Sequence, residues 1–145
     1  MILISHRGNL TGKNSKLENK PLQIQTVLDL GFHCEIDVWF INGEYLLGHD
    51  EPKTRVNEYT LEHPNLWCHA KNLEALQMML KNDNIHCFWH ETDQYTITSQ
   101  RFIWTYPGKY ASENCIIVDN SKNPPNYNCK GISSDYVQLY KTRNF

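Results

Sequence analysis

Two histidines, an arginine and two carboxylates gather in the first third of this 145-residue chain. They lie in three short segments: Ser5-His6-Arg7-Gly8, Cys34-Glu35-Ile36-Asp37-Val38 and Gly48-His49-Asp50. Glu35 and Asp37 are separated by one residue, so on a strand both side chains point to the same face. Carboxylates held that close repel each other unless a cation lies between them; the alternative is a polar strand face open to water. His6 follows the apolar run Met1–Ile4, and His49 follows Tyr45-Leu46-Leu47, so both stand where strands give way to loops. Histidine gives or takes a proton near neutral pH. The fork of donors on Arg7 suits phosphate oxygens, with an ion pair to Glu18 or Asp37 as its structural alternative. Hard divalent cations favour carboxylate oxygens. Together these residue types predict metal-assisted cleavage of a phosphodiester.

The same segments carry a resemblance. His6-Arg7-Gly8, Leu17-Glu18-Asn19, Gly31 leading to Glu35-Ile36-Asp37-Val38, and then Gly48-His49-Asp50 resemble, in order and spacing, the glycerophosphodiester phosphodiesterase family. That family belongs to the phosphatidylinositol-phospholipase-like TIM barrels and is related to the spider sphingomyelinase D enzymes. The match covers residues 2–50. Weaker likenesses follow at His69-Ala70-Lys71, Ile103-Trp104-Thr105 and Gly131-Ile132-Ser133-Ser134-Asp135-Tyr136. The resemblance implies an α/β fold, a TIM-like barrel compressed into one domain with reduced helices. A full barrel usually takes about 250 residues, so the barrel is expected to be incomplete or open.

For the site, the resemblance implies that His6 and His49 form the acid–base pair, often through a cyclic phosphate. It implies that Arg7 and Lys71 hold the phosphate and that Trp104 walls the substrate pocket, although buried tryptophan is the commoner case. Glu35 and Asp37 become ligands of a divalent metal ion, magnesium or calcium. Where the family has a third carboxylate, this chain has His69, whose imidazole would favour manganese or zinc. His69 as a non-ligand, with Glu91, Asp93 or Asp119 completing the site, stays open. Glu18 lies near the metal or is a solvated loop carboxylate. Asp135 reads as structural, as do His33, His63 and His86. The cluster His90-Glu91-Thr92-Asp93 is rich in reactive groups and is not explained by the resemblance.

The elements that must position these residues follow from pattern. Residues 2–5 and 32–41 read as strands around a helix that opens at Pro21 and ends at Gly31. Asn42-Gly43 is a strong hairpin signal leading into residues 45–48. Further strands are expected at 66–69, 85–89, 95–98, 102–106, 115–118 and 131–134, with a helix over 73–80.

The formal net charge of −2 gives no electrostatic reason to expect nucleic acid as a partner. The expected partner is a small phosphodiester, with oligomeric state undetermined. Five cysteines, an odd number without metal-finger spacing, fit a reducing compartment. No apolar run approaches about 20 residues, and a cytoplasmic protein is expected. No P-loop, dinucleotide fingerprint, nucleophile elbow or HExxH motif is present. Two competitors remain: a non-catalytic phosphate- or metal-binding module on a degenerate barrel, and a sugar- or phosphate-binding interaction protein using exposed aromatics.

Overall fold

The computed structural model describes residues 1–143. Its organising element is the long strand β2 (His33–Ile41). One edge of β2 pairs in parallel with β1 (Ile2–His6), which sets His6 opposite Glu35. Further along β2, Val38–Ile41 pair antiparallel with β3 (Glu44–Leu47) through the Asn42-Gly43 turn, where both residues have positive φ. The other edge pairs in parallel with β5 (Leu66–Ala70), setting Asp37 opposite His69. Register alone therefore brings His6, Glu35, Asp37 and His69 side by side on one face.

The remaining elements extend this centre. Strand β4 (Thr54–Val56) adds to β3, and β6 (Cys87–Phe88) adds to β5. Beyond β1 lie β10 (Gly131–Ser134), β9 (Cys115–Val118) and β8 (Ile103–Thr105), all parallel, then β7 (Tyr95–Ile97), antiparallel to β8. Gly131 is required in β10: a Cβ there would stand 2.7 Å from the Ile2 carbonyl oxygen.

Helices are few and short. In α1 (Pro21–Asp29), proline opens the first turn and Ile24 and Val27 are buried. After the four-residue α2 (Glu58–Leu61) comes α3 (Leu73–Met79), capped by Asn72, whose side chain accepts from the Ala75 amide. That side chain also exchanges two hydrogen bonds with the Phe40 backbone, fastening the helix to β2. The last is α4 (Val137–Lys141).

This architecture corrects the expectation of a compressed α/β TIM-like barrel. The fold is dominated by sheet, a curled half-barrel with four short helices among the described residues. Among the described residues no ladder joins β6 to β8. The physical reason lies in the second half: no α-helix occurs between α3 and α4, so loops rather than helices connect β6 through β10. A TIM barrel needs a helix after each strand to cover its outside, and a chain this short does not supply them. No helix among the described residues is long and apolar enough to cross a membrane.

The two sheet faces carry different cores. The convex face, under α1, α3 and α4, holds Ile36, Val38, Cys34, Leu66 and Cys68. All five cysteines are free, and four are buried. The concave face holds a smaller cluster of Ile4, Trp67, Phe88, Trp104 and Ile116. There Phe88 and Trp104, with ring centroids 4.5 Å apart, meet across the opening that the ladders leave.

His86 closes the end of the concave core away from Glu35 and Asp37. It packs 4.1 Å from the Trp67 ring and shares a 2.7 Å hydrogen bond with the Thr98 hydroxyl. Burial, aided by the nearby His33, pushes its pKa down to about 4. The folded state then takes up a proton less readily than the unfolded chain, whose histidine titrates near 6.5. Stability from His86 is full above pH 6.5 and is lost as pH falls toward 4. Between pH 7 and pH 5 the loss should be about 2 kcal/mol. Urea unfolding at both pH values should show that difference for the wild type beyond whatever His86→Gln shows; equal pH dependence in the two proteins would refute it.

Candidate functional site

At the carboxyl ends of the parallel strands the concave face turns polar and opens into a cleft of about 640 Å³. Trp104, with Val118, forms its apolar floor; His6, Arg7, Glu35, His49, His69 and Lys71 line it. A second cleft, of about 470 Å³, is mostly apolar and lies on the convex face beside Ile36 and Leu47.

Glu35 and Asp37 are almost completely buried, at 2% and 0% exposure. That rules out a polar strand face open to water, and such burial of two carboxylates requires compensating charge. Asp37 receives it from several sides. Arg7 Nε lies 3.3 Å from Oδ2, His69 Nδ1 3.4 Å and Lys71 Nζ 3.8 Å from Oδ1. The Asn19 amide donates to Oδ2 at 2.8 Å, while its carbonyl oxygen accepts from the Asp37 amide. Although burial opposes ionisation, these cations and donors hold the Asp37 carboxyl far below the usual range. Glu35 Oε2 accepts the Arg7 backbone N–H, and His69 Nδ1 lies 3.5 Å from Oε1.

Local backbone shape makes these contacts. At the end of β1 the chain turns through Arg7 and Gly8, both at positive φ (57° and 92°). This uncommon conformation for arginine is held because the Arg7 amide donates to the Glu35 carbonyl and its carbonyl accepts the Asn19 amide. Arg7 therefore has the ion-pair partners expected of it, Asp37 and, at 3.8 Å, Glu18. Glu18 also accepts from Asn9.

The donor set fits a metal ion. Glu35, Asp37 and His69 each offer a ligand atom, all within 4.8 Å of one another. Asp37 Oδ1 is buried and accepts no hydrogen bond of good geometry. His69 Nε2–H donates to the His90 carbonyl at 2.7 Å, which leaves Nδ1 directed at the carboxylates, the arrangement that fixes a ligating histidine. Two oxygens and one imidazole nitrogen suit manganese or zinc better than calcium. Without an ion, His69 serves as the counter-cation: burial disfavours its charge, but Asp37 and Glu35 outweigh that and raise its pKa to about 9. The substitutes considered for His69 are engaged elsewhere or lie apart. Asp119 accepts from Tyr127 and the Ser121 amide, Asp93 pairs with His90, and Glu91 is exposed on the cleft wall.

The histidines differ in their settings. His6 Nδ1–H donates to Asp135 at 2.9 Å, leaving Nε2 for the cleft. Burial pulls the His6 pKa down, yet the Asp135 hydrogen bond and the Glu35 charge leave it above the ordinary value. His49 stands on the loop after β3, its side chain 37% exposed and paired at 2.7 Å with the nearly fully exposed Asp50. Gly48 before it is obligatory, since a Cβ would collide with the Glu51 carbonyl.

The cleft thus brings together seven candidates drawn from the sequence, His6, Arg7, Glu35, His49, His69, Lys71 and Trp104. The eighth, Asp37, is fully buried against Arg7, His69 and Lys71 and does not line it. Sequence reasoning missed three contributors. Asp135 orients His6, Asn19 clamps Asp37, and His90 supplies both the carbonyl under His69 and a fourth imidazole to the wall. All three stood within segments singled out in the sequence, but Asp135 reads there as structural, because its partner His6 is 129 residues away. Comparison with family models, curated proteins and solved structures gives no match to this chain.

Proposed function

We propose that the protein is a metal-dependent phosphodiesterase acting on a glycerophosphodiester or related alkyl phosphodiester. One observation carries the reading: a Glu35–Asp37–His69 donor group shares a cleft with the cations Arg7 and Lys71 and with carboxylate-anchored histidines. The glycerophosphodiester phosphodiesterase resemblance of residues 2–50 supports it. Glu35, Asp37 and His69 would hold the ion, which when bound supplies Lewis-acid polarisation of the phosphate. Arg7 and Lys71 lie beside Asp37, and a cation held on that carboxylate would leave their charge for phosphate oxygens. His6, its Nδ1–H fixed by Asp135, presents Nε2 as the base for the attacking hydroxyl. A second cleft histidine returns a proton to the leaving oxygen, with His49 the candidate from sequence.

A second reading is favoured by His69 itself, whose Nδ1 lies between the two carboxylates and balances them without a metal. On that reading the cleft is a phosphate-binding module without turnover. Turnover of bis-para-nitrophenyl phosphate and glycerophosphocholine after chelation, with magnesium, calcium, manganese or zinc restored, separates the two. Metal-dependent turnover that is lost in Glu35→Ala is the expected result. Phosphate binding without product under every metal would replace the enzyme with the module.

A further inference from the structure

The loop after β6 holds a histidine that the mechanism above does not use. His90 lines the cleft beside His69 and Tyr106, with ring centroids 6.4 Å and 5.7 Å away. Its side chain is only 10% exposed, and Nδ1 is 2.8 Å from Asp93 Oδ2. Asp93 is itself fixed, because its other oxygen accepts the Glu91 amide. Among the described residues Nε2 has no hydrogen-bond partner, so it is the nitrogen left for a ligand.

His6–Asp135 and His90–Asp93 are therefore two dyads of the same construction, each a mostly buried imidazole anchored through Nδ1 by a carboxylate. Strand order gives them opposite positions. His6 ends β1, one strand before the β2 carboxylates; His90 follows β6, one strand beyond His69 on β5. A phosphate seated at Glu35, Asp37 and His69 would have one dyad on each flank, as in-line displacement requires of the groups serving the entering and leaving oxygens. His49 is less firmly held: its side chain is 37% exposed against 10% for His90, and its partner Asp50 91% exposed against 47% for Asp93.

Building on the phosphodiesterase reading, we infer that His90, positioned by Asp93, is the proton donor to the leaving oxygen. As the attacking hydroxyl oxygen bonds to phosphorus, its proton passes to His6 Nε2. The bond from phosphorus to the leaving oxygen breaks, its electron pair stays on that oxygen, and the proton comes from His90 Nε2–H. The two imidazoles then recover their starting states by proton exchange with water.

The test uses two diesters of glycerol 3-phosphate with one attacking half and different leaving groups, the ethyl ester and the para-nitrophenyl ester. Ethoxide needs a proton to leave and nitrophenolate does not. His90→Gln should lower turnover of the ethyl ester on the order of 10²–10³-fold and that of the nitrophenyl ester by less than about 5-fold. Asp93→Asn should show the same selectivity with a smaller loss. Manganese affinity measured by calorimetry should stay within about 3-fold of wild type in both, because the carbonyl under His69 remains. Equal losses on the two esters accompanied by weakened manganese binding would make His90 merely structural and overturn the inference. So would an unchanged ethyl ester rate, or a leaving-group-selective loss in His49→Gln instead. A wild type inert on both esters with every metal overturns the phosphodiesterase reading, and this inference with it.

Discussion

Asp37→Asn is expected to abolish metal binding and turnover and to destabilise the protein by about 3–5 kcal/mol, the range for removing one partner of a buried ion pair. The size follows from what converges on that carboxylate. Asp37 is fully buried, and Arg7, His69 and Lys71 all point at it within 4 Å. Asparagine would keep a contact with Asn19 but leave three cations facing a neutral amide at zero exposure. Glu35→Gln makes the informative contrast. Glu35 has one cation within reach, His69, and its other oxygen takes the Arg7 amide, a bond glutamine can still accept. Its loss of stability should be closer to about 1 kcal/mol, the ordinary worth of a hydrogen bond. Its loss of manganese affinity should match that of Asp37→Asn, on the order of 100-fold or more. Calorimetric titration with manganese, paired with urea unfolding, separates the two effects. If Glu35→Gln binds manganese as tightly as the wild type, the three-residue metal site is wrong.

The contrast also marks what could be read from the chain and what could not. Glu35 and Asp37 share a face because side chains alternate along a strand, and that was legible from two letters and their spacing. So was the Asn42-Gly43 hairpin, whose positive φ values those residue types supply. The helix expected over residues 73–80 was legible too, from good helix formers with a helical apolar period, and it spans Leu73–Met79. Burial of the carboxylates was not, because it depends on β1 and β5 flanking β2, pairings set by residues some 30 positions away. The barrel expectation failed for a related reason. It extended a likeness that is strong only over residues 2–50 into a second half in which no helical apolar period appears between residues 90 and 131. Strands there pair edge to edge, and bare loops make the connections. Asp135 was read as a structural residue of the last strand; only the parallel pairing of β10 with β1 brings it to His6.

Asp135 is accordingly the position where the structure predicts most beyond the sequence. Asp135→Ala should lower turnover on the order of 10²–10⁴-fold, the span for a lost general base, while manganese affinity stays near that of wild type. Without the carboxylate nothing fixes the proton on His6 Nδ1, so Nε2 is no longer held ready to accept one. Asp135→Asn tests the charge separately, because its carbonyl can still accept from both His6 and Asn9. The sign of its effect follows from the balance at His6. Burial lowers the imidazole pKa, and the bond to Asp135, with the charge of Glu35, raises it past the ordinary value. Neutralising Asp135 removes its charge and weakens the hydrogen bond that does most to raise the imidazole, so the His6 pKa falls. A base must be unprotonated to act, so the acid limb of the pH–rate profile should move to lower pH in Asp135→Asn, while the plateau drops because the weaker base accepts a proton less readily. A purely structural aspartate would lower turnover at every pH without moving the limb. An acid limb unmoved in Asp135→Asn would therefore remove His6 from the role of base, whatever became of the rate.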